Sequence, residues 1–129
     1  MREILFRGKR IDSGEWVYGT MYKIATDLNP FILTIGKSGC SYQVEEETVG
    51  QYTGLKDKNG KRIFEGDIIK WDYPCNEGKS YQVIYDVGSA CFVASREHNG
   101  NIIDTVFYND GQHAEVISNV HDNPELLEK

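Results

Sequence analysis

Three carboxylates, Asp57, Glu65 and Asp67, stand close together in the segment TVGQYTGLKDKNGKRIFEGDIIKW, residues 48–71. Brought together by a chain reversal, they would suit a divalent cation of the kind phosphoryl-transfer enzymes use. Turn chemistry accounts for the same residues without catalysis. Asp57 opens the Asn59-Gly60 turn, Gly66 supplies backbone freedom, and Asp67 offers its side chain to a turn amide. Asn-Gly also predicts a reversal with positive φ at both central residues. The structural reading, with Asn59, Gly60, Gly66 and Asp67 as turn residues, is the simpler one.

The same segment carries Lys56, Lys58, Lys61 and Arg62. On one hairpin tip these would grip phosphates, with Tyr52 or Trp71 free to stack on a base. Turn lysines are more often simply solvated, or keep sheet edges from pairing. Aromatic and basic residues do not interleave along the chain beyond this segment, so nucleic acid is the disfavoured partner. Other chemistry is weaker still. His98, His113 and His121 have no common ligand spacing and no cysteine near them in sequence, so no metal or other cofactor is expected. GxSxG and GxxxxGK[ST] motifs are missing. Cys91 sits within an apolar strand pattern, Cys40 and Cys75 in turns, and none has a histidine partner in sequence. Glu45–Glu47 reads as a solvated strand end. An enzyme is therefore not the preferred reading.

Tyrosine makes up 8 of the 15 aromatic residues. Such an excess over the needs of one small core puts some rings at the surface, where tyrosine and tryptophan favour interfaces. Trp16, Tyr18, Tyr52, Trp71 and Tyr73 are the candidate interface aromatics. Self-association, or contact with another protein, follows as the expected partner class.

Composition bounds these readings. A chain of 129 residues is the size of one domain and long enough to keep a core without disulfide staples. Fourteen basic against twenty acidic residues give a net charge of −6, so there is no global attraction for DNA or anionic lipid. The charge is uneven. Residues 54–70 carry five Lys or Arg against three acids, and residues 96–129 two against seven. Three cysteines without CxxC spacing fit a reducing cytoplasm. No basic-then-apolar leader and no span-length apolar run is found, so a cytoplasmic protein off the membrane is expected.

The elements that must position these residues are strands. Segments 3–8, 15–24, 31–36, 41–49, 49–55, 68–73, 80–88, 90–97, 102–108 and 114–120 have strand character, with turn residues between most of them. In 15–24, Trp16, Tyr18, Thr20 and Tyr22 fall on one face, and Val17 and Met21 on the other. Segments 3–8 and 15–24 read as a hairpin across Asp12-Ser13-Gly14, 80–88 and 90–97 as a second around Val87–Ser89, and HNGN (98–101) as another Asn-Gly turn. Asn123-Pro124-Glu125 has the order of a helix start, with room for barely two turns. The fold class is mainly β: one chain-long domain of two small packed β subdomains. These span about 1–55 and 62–121, with a linking turn at 56–61 and a helical tail at 122–129. The second is SH3-like in strand number and length.

Four stretches go further: RGKRIDSGEWVYG (7–19), TVGQYTGLKDKNGKRIFEGDII (48–69), VIYDVGSACFVA near the middle, and EVISNVHDNPELLE (115–128). On these the chain resembles the YopX family of bacteriophage and prophage proteins over nearly its whole length. The family usually has glycine where this chain has Ser118. The resemblance implies a phage or prophage origin, a β-rich fold, the cytoplasm of a bacterial host and, for any contact beyond self-association, a phage or host protein as partner. It implies no reaction and no catalytic residues.

Overall fold

The computed structural model describes residues 3–34, 39–72, 79–106 and 111–128. The fold is mainly β, and the chain divides into two compact units, Met1–Tyr52 and Thr53–Lys129. The 56–61 turn lies within the second unit.

The first unit is built from β1 (Phe6–Lys9), β2 (Trp16–Tyr22), β3 (Phe31–Thr34), β4 (Ser41–Gln43) and the start of β5 (Gly50–Lys56). All pair antiparallel, in the order β4-β3-β2-β1-β5. The β1–β2 hairpin closes where Gly14, at φ 74°, donates its amide to the Arg10 carbonyl. One side of the sheet is core: Ile32 and Val44 are fully buried there. Gly8 is needed beneath Val44, because a Cβ on it would lie 2.8 Å from a Val44 methyl. Segment 41–49 is not one strand. β4 ends at Gln43, and Glu46–Thr48 form a 3-10 turn. The Thr48 side chain explains the change, since its Oγ1 donates to the Glu45 carbonyl and accepts the Lys9 amide, a local alternative to a ladder.

The second unit opens with the rest of β5, which pairs with β6 (Arg62–Phe64). Sequence periodicity does not reveal β6, because three residues between two turns are too few to show alternation. A five-stranded antiparallel sheet follows: β7 (Asp67–Trp71), β8 (Ser80–Asp86), β9 (Cys91–His98), β10 (Asn101–Val106) and β11 (Ala114–Asn119), in the order β10-β9-β8-β7-β11. It is an open sheet among the described residues, with β10 and β11 at opposite ends, and not a closed SH3-like barrel. Ile63, Ile69, Trp71, Tyr81, Val83, Ala94 and Ala114 form its core, with Leu55 and Val116 against it. Trp71 and Tyr81 meet edge to face at 6.4 Å.

Its turns follow local chemistry. Asn99 and Gly100 take φ of 50° and 78°, the pattern of a two-residue hairpin turn. The β8–β9 reversal instead spans residues 87–90, with Ala90 at φ 55° taking the left-handed position, so β9 starts at Cys91. Between Val116 and Ser118, β11 carries a bulge against β7; Ser118 itself pairs with Ile68, and its φ is not positive. The Ser118 hydroxyl donates to Asn123 Oδ1 at 2.6 Å. The chain closes in a 3-10 turn, Pro124–Glu128, and not an α-helical one. The Asn123 side chain is engaged by Ser118 and donates to Glu125.

Candidate functional site

The Asp57 carboxylate is a structural centre. It is buried, and Oδ1 accepts the amides of Asn59 and Lys61, both at 2.9 Å. Oδ2 accepts the Val116 amide at 2.9 Å, across 59 residues of sequence. The backbone adds Asp57 N to Lys61 O at 2.7 Å and Gly60 N to Asp57 O at 3.0 Å. Gly60 takes φ 80°, but Asn59 does not take positive φ. The expected turn with two left-handed residues is thus replaced by one anchored on the Asp57 side chain, which holds the Asn59 amide directly. Asp67 is buried, and Oδ2 accepts the Phe64 amide at 2.8 Å beside Gly66 at φ 93°. Asp57 therefore spends both oxygens, and Asp67 its Oδ2, on backbone amides. Among the described residues no three His, Cys, Asp or Glu side chains gather as a metal site, so Asp57, Glu65 and Asp67 do not converge.

Lys56, Lys58, Lys61 and Arg62 are all exposed around this hairpin. Glu115 lies 3.8 Å from Lys58 and offsets part of the charge. His113 lies in the turn before β11, and its Nδ1 sits 2.8 Å from Asp72 Oδ1. Cys91 is half-buried with Ser89 Oγ at 3.2 Å, and Cys40 is exposed. Cys75 and Tyr73 lie outside the described residues. Tyr52 and Trp71, expected among the interface aromatics, are each 6% exposed and belong to the interior. Their alternation along β5 and β7 points them inward, which ring type alone does not reveal.

A row of aromatic rings lies on the side of the first unit's sheet opposite Ile32 and Val44, a side that is buried at Arg7 and Tyr52 and exposed at Tyr18 and Tyr22. The pairings Lys9↔Trp16, Arg7↔Tyr18, Thr20↔Leu33 and Tyr22↔Phe31 put these residues on one side, opposite Ile32 and Val44. Tyr18 is 45% exposed and Tyr22 38%. Tyr22 stacks on Phe31 with centroids 5.3 Å apart. The Arg7 guanidinium lies 4.7 Å from the Trp16 ring centroid, and Lys9 Nζ 5.5 Å from it. Arg7 is itself buried and Lys9 half-buried. Basic and aromatic groups thus interleave across strands. Sequence reading along the chain misses this, and the signal that could have found it is the expected hairpin of segments 3–8 and 15–24.

At the hairpin tip Arg10 lies 4.1 Å from the Tyr42 ring centroid and donates to both oxygens of Asp12, at 2.9 and 2.7 Å. These bonds hold the Asp12 carboxyl below the usual carboxylate range and raise the Arg10 guanidinium. On the second unit, a polar cleft of about 560 Å³ is lined by Ser80, Gln82, Ser95, Arg96, Glu97, Asn99, Ile102 and Leu127. Its mixed charge and uncharged polar side chains select no ligand class.

The family model described as YopX protein matches residues 5–128. This chain belongs to the YopX family. A comparison with curated proteins gives no match. Among solved structures, the crystal structure of protein EF1440 from Enterococcus faecalis is similar, with 26% identity and a TM-score of 0.52. The match covers 98% of this chain and 99% of that one. The YopX match spans both units, and the aromatic sheet face and the Asp57 turn both lie within it. No helix among the described residues is long and apolar enough to cross a membrane.

Proposed function

We propose that this YopX chain is a non-enzymatic binding and assembly module, encoded by a phage or prophage and working in the cytoplasm of its bacterial host. The observation that carries the reading is the row of aromatic rings on β2, where Tyr18 and Tyr22 are exposed and Trp16 is packed by Arg7 and Lys9. Its counterpart is the use of Asp57 and Asp67: a carboxylate whose two oxygens serve three backbone amides, and a buried one that holds the Phe64 amide, are poorly placed to take a proton or a metal. A metal-supplemented screen for nuclease, phosphatase and esterase turnover is expected to be negative. Turnover lost on Asp57→Asn or Asp67→Asn with the fold intact would overturn the reading.

Assembly between copies is part of this proposal. β10 is the outer strand of its sheet among the described residues, and it presents Ile102, 73% exposed, and Ile103, 44% exposed. Exposed apolar edge strands are templates for pairing with another chain. Sedimentation velocity at micromolar concentration is expected to show mass above 14.7 kDa that grows with concentration, and Ile103→Lys to reduce it. A single species of monomer mass at every concentration refutes the assembly part.

The rival is nucleic-acid binding through the exposed hairpin cations Lys56, Lys58, Lys61 and Arg62. It requires Lys58→Glu with Lys61→Glu to weaken binding and salt to weaken it steeply. A gel-shift experiment at low salt with single- and double-stranded probes tests it.

A further inference from the structure

We infer that Asn59-Gly60 is a latent site of self-modification, at which the chain converts asparagine to aspartate or isoaspartate, and that the Asp57 carboxylate is its latch. The chemistry needs no enzyme. The Gly60 amide nitrogen, once it gives its proton to hydroxide, attacks the Asn59 side-chain carbonyl carbon. A C–N bond forms, the side-chain nitrogen leaves as ammonia, and a cyclic imide remains. Water then opens the imide at either carbonyl, giving aspartate, or isoaspartate with the backbone rerouted through the side chain. Nothing is oxidised or reduced. Glycine hinders the attack least of all residues, because it has no Cβ beside the nitrogen. Asn59 and Gly60 are both exposed, and a Cβ on Gly60 would meet nothing within 4 Å, so water and the imide ring both have room.

The closed turn keeps the reaction from starting. Gly60 N donates to the Asp57 carbonyl at 3.0 Å, which engages the proton that must leave and the nitrogen that must turn. Asn59 N is held by Asp57 Oδ1 at 2.9 Å, and Lys61 N by the same oxygen at 2.9 Å. Asp57 N closes the ring of contacts on Lys61 O at 2.7 Å. One residue therefore fixes the chain on both sides of the reacting bond. Asp57 Oδ2, bonded to the Val116 amide at 2.9 Å, keeps the carboxylate from rotating away. Attack requires this turn to open, so the rate of conversion reports the opened fraction.

Conversion to isoaspartate is one-way. It inserts an extra backbone carbon between residues 59 and 60, so the two amides no longer reach Asp57 together. It also sets a new carboxylate beside the old one, and like charges at that distance repel. The turn does not reclose over the product, and the modified chain loses the stability that the Asp57 contacts supply.

The test uses the full chain, aged in mildly alkaline buffer with and without unfolding guanidinium chloride. Peptide mass spectrometry reads the amide-to-acid conversion at Asn59, and at Asn99 of the other Asn-Gly pair in the same digest. A hydrogen bond to a charged group is worth about a factor of ten or more in an opening equilibrium. Asn59 should therefore convert at least roughly tenfold more slowly in the folded chain than in denaturant. In folded Asp57→Ala it should approach its rate in denaturant, while Asn99 keeps its parent rate. If Asp57→Ala unfolds, which speeds both sites, Asp57→Asn decides. A neutral oxygen holds the amides less firmly than a carboxylate, so Asn59 should convert faster than in the parent, again with Asn99 unchanged. Aged parent enriched in isoaspartate at position 59 should unfold at lower urea than fresh parent. The inference is overturned if Asn59 converts as fast in the folded chain as in denaturant, or if no folded variant at Asp57 speeds it relative to Asn99. An unchanged urea midpoint after conversion overturns it as well.

Discussion

Replacing Asp57 should cost more than any other single change in its hairpin, because one carboxylate serves three backbone amides. Asn59, Lys61 and Val116 each donate to it at 2.9 Å. A hydrogen bond to a charged group contributes roughly 1.5–3 kcal/mol, and the three share one anion, so they do not add fully. Water can reach the Asn59 and Lys61 amides at the exposed tip once the carboxylate is gone. The partly buried Val116 amide is less accessible to water and carries most of the desolvation penalty, about 1–3 kcal/mol. Together these give about 3–4 kcal/mol of destabilisation for Asp57→Ala, near the upper end for point substitutions. Asp57→Asn separates the terms. Its oxygen can still serve Asn59 and Lys61, but its NH₂ then meets the Val116 N–H, donor against donor, for about 1–3 kcal/mol. Urea unfolding followed by circular dichroism checks this. With a slope of about 2 kcal/mol per molar, Asp57→Ala should lower the midpoint by about 1.5–2 M, and Asp57→Asn by about half of that. Midpoints for both variants within ~0.2 M of the parent, at the same slope, would refute the argument, because the carboxylate would then be free for another role.

Two further outcomes are expected. Gly111 has φ 76°, and a Cβ there would lie 2.6 Å from the Lys56 carbonyl oxygen, so Gly111→Ala meets backbone strain and a clash at once. A loss of at least ~1 kcal/mol is expected in the same urea assay, with larger loss if the Lys56 strand must move. Titration of the Asp12 carboxyl by NMR should show it below the ordinary carboxylate range, and Arg10→Gln should return it upward. Because the folded-state value lies below the unfolded one, whatever the pair contributes is present above the unfolded value. It is lost as pH falls through the lowered one. Both groups are at the exposed hairpin tip, so the readout is the titration itself and not stability.

What the sequence determines by itself is the local part of the molecule. Strand alternation needs only neighbours in the chain, and Trp16, Tyr18 and Tyr22 do share a side of β2, as their spacing of two requires. Asn99-Gly100 forms a hairpin turn because both residues tolerate positive φ. Asp57 and Asp67 act on amides a few residues away, within reach of a short side chain. Family membership was likewise legible, in long stretches such as residues 48–69. Where a local choice had competitors the reading erred. Asn59 stays out of the left-handed region because the Asp57 oxygen takes its amide. Residues 46–48 leave the extended form because Thr48 bonds the Glu45 carbonyl. The partners across strands were decided only by the tertiary structure. Val116 comes to Asp57 from the far end of the chain, Tyr52 and Trp71 turn inward, and Arg7 and Lys9 come to lie over Trp16. The physical reason is register. Which residues face each other across a sheet is set by burying one side of every strand at once, and no segment carries that constraint alone.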